Sequence, residues 1–231
     1  MITTLTTCPN TEYPFRWIDL SEPTPEELQK LSHEFGIHET SLQDSLEPYH
    51  LPKYERHDHY TFIILRSIDP LRPSASSDIN ELTRKTAVFM GEQFLITLHR
   101  SPLSFIQALQ EKWAKRLPHY TGTPHLHLCL DILSQGLNTF DPPIDEALAL
   151  LNTLEQESGT HLEQAYQLRK QASAIKRLLR LSHDLCTKLN ADSDPTSRIY
   201  VQDVKEDLEN SLFFAEDLTE SIHHFINLQR A

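Results

Sequence analysis

Apolar and small side chains recur in a three-and-four rhythm along residues 198–230, at the end of the chain. The positions that keep this rhythm are Val201, Val204, Leu208, Ser211, Ala215, Leu218, Ile222 and Phe225, and neither glycine nor proline interrupts them. A heptad pattern of this length predicts one long amphipathic helix, about 50 Å from end to end at about 1.5 Å per residue. Two interpretations are open: the helix lies on the core of its own chain, or it is a stalk that packs against copies of itself.

The first hundred residues contain the strand patterns. Strands are predicted over 15–20, 60–68, 83–90 and 93–99. The last two are separated by Gly91 and Glu92, which predicts a hairpin. The run over 60–68 is nearly continuous in apolar or β-branched residues, so we expect a central strand that is covered on both faces.

Two short helices are predicted between the first and second strands. The first begins after Thr24, where an N-cap threonine is followed by a proline and by Glu27 in the capping-box position, and it ends at Gly36. The second contains Leu42 and Leu46 and ends before a proline. In the first helix Leu28, Leu31 and Phe35 fall on one face.

Helical patterns dominate the sequence after residue 100. Helices are predicted to begin at Ser101–Pro102, near Pro124 and after Asp141-Pro142-Pro143, and a long one is predicted over 161–190, with a polar break at 192–196 before the last helix. Strands first and helices later predict a sheet domain with a helical appendage.

The composition excludes several classes of protein. Of the 231 residues 39% are hydrophobic, the mean hydropathy is −0.44 and the formal net charge is −12. This charge argues against a nucleic-acid partner, because phosphate backbones require neutralisation by Lys and Arg. No apolar run approaches the roughly 18 residues that span a bilayer, and the N-terminus lacks a signal-peptide pattern. The three widely spaced cysteines predict a reducing compartment without disulfides.

The sequence contains no motif of a familiar catalytic site. A glycine-rich phosphate loop and a G-x-S-x-G elbow are both absent, so we do not expect an enzyme. Histidines cluster at 57/59, 125/127 and 223/224, but none of these pairs has the i,i+3 or i,i+4 spacing that converges two ligands on a helix. His57 and His59 could share one face of a strand. We interpret the histidines as solvated or core residues, with a zinc-dependent enzyme as the alternative.

Three carboxylates are candidate cation ligands. Asp131 lies in the apolar segment 126–133, so it faces the polar edge of its helix or needs a cation, because an unpaired buried charge is costly. Asp203 opens the acidic face of the last helix, and Asp44 lies on a short polar helix. Each of these two is, on its own, typical of a solvated side chain. Carboxylates from separate segments or subunits would suit Mg²⁺ or Ca²⁺, but periodicity cannot bring them together.

Several short motifs occur in a defined order, mostly between residues 15 and 66. They are Trp17-Ile-Asp-Leu20, Pro23-Thr24, Glu26-Glu27-Leu28, Phe35-Gly-Ile-His38, Leu42-x-Asp44, Leu46, Pro52-Lys53, Tyr60 with Phe62-Ile-Ile-Leu65, and Tyr200-x-x-Asp-Val204. In order and spacing they resemble the cytoplasmic N-terminal domain of CorA-type divalent-cation channels. The resemblance runs from about residue 15 to the end of the chain.

The resemblance implies an α/β/α sandwich with a central mixed β-sheet, followed by long helices. Residues 1–195 would form the cytoplasmic regulatory domain with its helical extension, and residues 196–231 the first part of a stalk helix. In this family the stalk continues into transmembrane helices and the assembly is a homopentamer. We therefore expect a stalk truncated before the membrane, on the cytoplasmic side of the inner membrane.

The resemblance also implies a set of regulatory metal ligands. Asp44 matches a carboxylate of the short second helix, Asp203 matches the carboxylate at the start of the stalk that faces it from the next subunit, and Asp131 matches a third acid near a second cation position. Gln43 stands where the family has glutamate, and an amide brings less charge to that second position. The expected ligand is weakly bound Mg²⁺ or another divalent cation.

The functional hypothesis is a cytosolic metal-sensing and gating domain of a CorA-type channel for magnesium, with cobalt or nickel as other possible ions. The pore would close when Mg²⁺ bridges Asp44 of one subunit and Asp203 of its neighbour. Two alternatives are a soluble acidic coiled-coil interaction protein and a Zn²⁺ transporter of the same superfamily.

Overall fold

A computed structural model of the protein describes residues 2–6, 14–73, 76–120, 122–157 and 159–230. In this part of the chain six strands form one sheet: β1 (Ile2–Thr6), β2 (Arg16–Ser21), β3 (Lys53–Arg56), β4 (Thr61–Ile68), β5 (Thr83–Gly91) and β6 (Phe94–His99). Their spatial order is β1-β2-β6-β5-β4-β3. The sheet is mixed, because β2 and β6 run parallel while the other neighbours are antiparallel.

The helices occupy both faces of this sheet. They are α1 (Pro25–Phe35), α2 (Glu39–Leu46), α3 (Ile79–Leu82), α4 (Ser104–Arg116), α5 (Pro124–Asn138), α6 (Asp141–Gln156), α7 (Leu162–Asp192) and α8 (Arg198–Arg230), and a 3₁₀ turn, Leu117–His119, follows α4. One apolar cluster joins α1 to one face of the sheet, and a second, larger cluster joins the opposite face to α4–α8. The expected α/β/α sandwich with a mixed sheet and long terminal helices is confirmed.

The middle of β4 explains how the two clusters share one sheet. Phe62 and Ile64 belong to the cluster on the α1 side, whereas Ile63 and Leu65 belong to the cluster on the α5 side. All four side chains are 0% exposed. Successive residues of a strand point to opposite faces, so a continuous apolar run is required here. The prediction of a central strand covered on both faces is confirmed.

Local hydrogen bonds fix the ends of α1 as the sequence predicted. The Thr24 hydroxyl accepts from the backbone N–H of Glu27 at 3.3 Å, and the Glu27 carboxylate accepts from the Thr24 N–H at 2.8 Å. Gly36 follows the helix with φ of 63°, a left-handed conformation that glycine adopts without the steric cost of a Cβ.

The start of α4 differs from the prediction. The helix begins at Ser104 with Leu103 at the N-cap, not at Ser101–Pro102. The reason is tertiary: His99 Nδ1 contacts the Ser101 carbonyl oxygen at 2.7 Å, and the Leu103 side chain is buried in an extended conformation. These contacts keep the chain extended for longer than its local preference indicates.

The seam of α8 is covered by helices of its own chain. Six of the eight seam side chains are buried within one chain, in contacts with α5, α6 and α7: Val201, Leu208, Ala215, Leu218, Ile222 and Phe225. Ser211 donates a hydrogen bond to Asp141 at 2.6 Å. Of the two interpretations of this helix, the one in which its seam lies on the core of its own chain describes the structure.

The outer side of α8 presents a different set of side chains. Ile199, Tyr200, Phe213, Phe214 and Leu228 are each between 49% and 65% exposed. Among the helices that the structure describes, none combines the length and the apolar character needed to cross a lipid bilayer.

Candidate functional site

A cavity of about 750 Å³ lies where the end of α4, the middle of α5 and the start of α8 meet. It is lined by three acids, three basic side chains and a group of aromatic, imidazole and smaller residues: Asp131, Asp203, Asp207, Lys115, Arg116, His119, Tyr120, His127, Tyr200, Leu130, Ser134 and Val204. The structure therefore brings two of the four predicted ligands, Asp131 and Asp203, into one cavity. Their segments are far apart in the sequence.

Asp131 is held in place by the preceding helix. Its Oδ2 accepts from Trp113 Nε1 at 2.8 Å and from Lys112 Nζ at 2.9 Å, and its side chain is 28% exposed. Both interpretations of Asp131 are thus partly correct, because it lies at the polar edge of α5 and a cation, Lys112, balances its charge. The buried Trp113 ring fixes the direction of the carboxylate, which leaves Oδ1 for a further partner.

Asp203 and Asp207 are one helical turn apart on α8 and both are exposed. Side chains four residues apart share one face of a helix, so the two carboxylates line the same cavity. In the part of the chain that the structure describes, neither carboxylate makes an ion pair. Two negative charges at this spacing repel each other and raise the local affinity for cations.

One wall of the cavity is formed by aromatic and imidazole rings. The His127 ring contacts Tyr120 edge-on, with 5.8 Å between centroids, and Tyr200 edge-on at 4.6 Å. The guanidinium of Arg116 lies over the Tyr120 ring at 4.9 Å. Burial lowers the pKa of His127, and the nearby Arg116 charge acts in the same direction. A neutral imidazole is therefore available beside the acids at neutral pH.

Asp44 and Gln43 lie outside this cavity, on α2. Asp44 Oδ2 is 2.5 Å from Lys53 Nζ and 3.5 Å from His50 Nε2. The hydrogen bond from Lys53 lowers the pKa of Asp44 below its usual value. Gln43 is exposed and its amide donates to Glu39 at 3.4 Å.

The histidines at 57 and 59 have structural contacts, whereas His223 and His224 are exposed. His57 stacks on Tyr60 with 4.4 Å between centroids, and His59 Nε2 lies 3.0 Å from the Gly36 carbonyl oxygen. His57 and His59 therefore do not converge on a common ligand. Within the described ranges, no three His, Cys, Asp or Glu side chains are placed to hold a metal ion together. The carboxylate oxygens are the ligand type that Mg²⁺ prefers, but one chain does not complete a metal centre.

Comparison of the sequence with models of protein families identifies the family of this chain. The sequence model of the family described as "CorA-like Mg2+ transporter protein" matches residues 13–229. The chain belongs to the CorA-like family. The resemblance noted in residues 15–66 and at Tyr200-x-x-Asp-Val204 is thereby confirmed.

Curated relatives of this CorA-like chain are metal transport proteins. The putative metal ion transporter YfjQ of Bacillus subtilis (strain 168) is 21% identical over 205 residues, which cover 87% of this chain and 59% of YfjQ. The cobalt/magnesium transport protein CorA of Methanocaldococcus jannaschii is 28% identical over 107 residues, which cover 46% of this chain and 32% of that protein. The chain thus spans well under two thirds of the length of these relatives.

Several solved structures share the fold of this chain. The soluble domain of CorA from Methanocaldococcus jannaschii has a TM-score of 0.78 at 18% identity, over 98% of this chain and 95% of that chain. The full-length CmaX protein has a TM-score of 0.78 at 18% identity, over 97% of this chain and 70% of that chain. The ZntB cytoplasmic domain from Vibrio parahaemolyticus RIMD 2210633 has a TM-score of 0.67 at 14% identity, over 98% of both chains. At sequence identities this low, the similarity shows that the fold is shared.

The sequence did not predict every residue that lines the cavity or that holds a lining residue in place. Asp207 was detectable, because it follows Asp203 at i+4 on the same polar face. Lys112 and Trp113 were not, because they belong to another helix whose orientation follows from tertiary packing. Lys112 balances the charge of Asp131, and Trp113 fixes the direction of its carboxylate.

Proposed function

We propose that this chain is the metal-sensing and gating domain of a CorA-type divalent-cation channel, on the cytosolic side of the membrane. The observation that carries the proposal is the family match over residues 13–229, together with the cavity that Asp131 and Asp203 share. Residues 196–231 would begin the stalk that leads towards the pore. In this proposal the domain performs no bond chemistry and acts through charge compensation.

The positions of the two principal acids favour a site between copies of the chain. Asp44 is on α2 and Asp203 is on α8, and no described cavity contains both. Both side chains have exposed surface, so each can meet a second molecule. Asp44 of one copy and Asp203 of the next would share the ion, and five copies in a ring would repeat the contact.

Gating then follows from the charges. The Lys53 contact lowers the pKa of Asp44 and so keeps it ionised, although Lys53 also balances part of its charge, whereas Asp203 has no such partner among the described residues. With a divalent cation present the carboxylates attract across the interface, and without it they repel. A bound ion stabilises the closed ring only to the extent that the closed ring binds the ion more tightly than the open ring does. One or two carboxylates with several waters give weak affinity for Mg²⁺, about 1 mM.

Asp131 and Gln43 would form the second cation position. Asp131 already has Lys112 as a counter-ion, and Gln43 contributes a neutral amide. Asp44 also has a counter-ion, Lys53, but Asp203 has none among the described residues, so the position of Asp131 and Gln43 offers less net negative charge than the position of Asp44 and Asp203. We expect it to bind a divalent cation more weakly than the position between Asp44 and Asp203.

The test is thermal denaturation and sedimentation of this chain with and without Mg²⁺. Asp203→Asn and Asp44→Asn remove one charge each, and Asp217→Asn is the matched control, an exposed acid elsewhere on α8. We expect Mg²⁺ to raise the melting temperature or the assembly state of the wild type and of Asp217→Asn, with a smaller response in the other two variants. An equal response in all four proteins would contradict bridging by these residues.

A second candidate is a Zn²⁺-responsive domain. It is favoured by the fold similarity to the ZntB cytoplasmic domain and by His119 and His127 in the same cavity as the acids, because zinc prefers nitrogen ligands where magnesium does not. A titration with Zn²⁺ distinguishes the two candidates. If His127→Ala abolishes a Zn²⁺ response that exceeds the Mg²⁺ response, the zinc assignment is the better one.

A further inference from the structure

A second cavity, of about 200 Å³, is surrounded by basic side chains although the chain is strongly acidic overall. Four cations line it: Arg66 of β4, Arg84 and Lys85 of β5, and Arg100, which follows β6. None of the described residues that line it is acidic. It lies near the C-terminal end of α2, away from the cavity of Asp131 and Asp203.

The sheet register aligns two of these cations. Arg66 and Lys85 are paired residues of neighbouring antiparallel strands, so their side chains leave the same face of the sheet beside each other. Like charges in such a pair repel, and Arg66 is only 1% exposed. A buried pair of this kind destabilises a fold unless something compensates its charge.

The hydrogen bonds of the cluster are made mainly with neutral oxygens. Arg66 donates to the Pro48 carbonyl, to the His50 carbonyl at 3.0 Å and to the side-chain oxygens of Asn80 and Thr83, both at 3.1 Å. All three guanidinium nitrogens of Arg66 are therefore engaged by the protein, and this arginine contributes its charge. Lys85 Nζ donates to two backbone carbonyls of α2 and its end, at 2.8 and 2.5 Å.

Compensation by carboxylates is incomplete. Arg84 forms an ion pair with Asp69. Among the described residues, the other three cations that line the cavity, Arg66, Lys85 and Arg100, form no ion pair with a carboxylate.

Capping of α2 explains only part of the cluster. Lys85 and Arg100 donate to carbonyls near the C-terminal end of this helix, where the helix dipole is worth about half a negative charge. That half charge does not offset three cations. The four cations therefore leave a net positive charge around the cavity.

We propose that this cavity binds a small oxyanion, with a phosphate group as its ligand class. The guanidinium groups of Arg84 and Arg100 match the planar, paired oxygens of phosphate, and the hydroxyl of Ser101 lines the same space. The hydroxyls of Ser45 and Thr83 also line it but already donate to backbone carbonyls. The volume suits a single phosphate group, since drug-sized ligands occupy about 300–1,000 Å³. Arg100 is exposed and stands at the solvent side, where an anion would enter.

The test is thermal denaturation and isothermal titration of this chain with inorganic phosphate, in chelator and without divalent cations. The result is thereby independent of the proposed metal response. Chloride at equal ionic strength controls for screening. We expect phosphate to raise the melting temperature beyond the effect of chloride and to bind with a saturable isotherm.

The variants localise the effect. Arg100→Gln removes an exposed cation whose loss leaves the core intact, and we expect phosphate affinity to fall about tenfold. Arg100→Lys retains the charge and should keep most of the affinity. Arg180→Gln, an exposed arginine paired with Glu216 on the far helices, is the matched control and should bind as the wild type does.

Three outcomes would overturn the proposal. The first is a wild-type response no greater than that to chloride, and the second is equal phosphate affinity in Arg100→Gln and the wild type. The third concerns the source of the phosphate group. If the protein sediments with phosphatidic-acid vesicles but does not respond to inorganic phosphate, the ligand is a lipid headgroup and not a free anion.

Discussion

Replacement of Ile222 by alanine tests how the long terminal helix is held. Ile222 is 0% exposed and belongs to the apolar cluster in which α7 and α8 pack together. The substitution removes three carbon atoms, worth about 2.4 kcal/mol at about 0.8 kcal/mol each, and leaves a partly relaxed cavity. We expect a loss of about 3 kcal/mol in the free energy of unfolding. For a chain of this size that corresponds to about 6–12 °C in melting temperature.

Ile199→Ala is the matched control on the same helix. Ile199 is 63% exposed, so the same atoms are removed without the loss of a buried contact. We expect its free energy of unfolding to stay within about 0.5 kcal/mol of the wild type. Urea denaturation followed by circular dichroism measures both variants, with the m-value as a check that the unfolded states are comparable.

Two results would refute this account of α8. Equal losses for Ile222→Ala and Ile199→Ala would mean that the seam is not covered by α7. A loss at Ile222 that disappears as the protein is diluted would mean that copies of the chain cover the seam, because only association makes stability depend on concentration.

Three further predictions concern the thiols, an ion pair and a helix cap. Cys129 and Cys186 are buried with pKa values raised to about 12, so Ellman's reagent should find no more than one of the three thiols in the native protein and all three after unfolding. Lys53 lowers the pKa of Asp44 in the folded protein. The ionised carboxylate therefore stabilises the fold fully above its unfolded pKa of about 3.9, and this stabilisation is lost as the pH falls through the folded pKa. Asp44→Asn should be less stable than the wild type at pH 7, and the difference should vanish in acid. Thr24→Ala removes an N-cap and should cost about 1 kcal/mol by urea denaturation, and no change would contradict the capping geometry.

Local signals predicted much of the fold. Thr24 and Gly36 mark the ends of α1 through short-range hydrogen bonds and backbone conformation, and an apolar run of this length has few alternatives to a central strand at β4. The edge strands β1 and β3 were not predicted. In β3 three of the four residues are charged, and an edge strand needs no continuous apolar pattern. The short α3 was also not predicted.

Tertiary packing decided the rest. The heptad rhythm of α8 indicates that one face is buried, but it does not say whether α7 or another chain covers it. Asp131 was recognisable as an unusual carboxylate, whereas its partners come from the preceding helix. The pairing of Arg66 with Lys85 depends on strand register, which a sequence pattern alone leaves open.

Binding of Mn²⁺ followed by NMR tests the central claim most directly. Mn²⁺ accepts the same oxygen ligands as Mg²⁺, and its unpaired electrons broaden the resonances of nearby amides. The account predicts that substoichiometric Mn²⁺ broadens the amides around Asp203, Asp131 and Asp44 first, that excess Mg²⁺ restores them, and that Asp203→Asn weakens the effect. Broadening spread evenly over the exposed acids of α8, or unchanged in Asp203→Asn, would contradict a divalent-cation site at these residues.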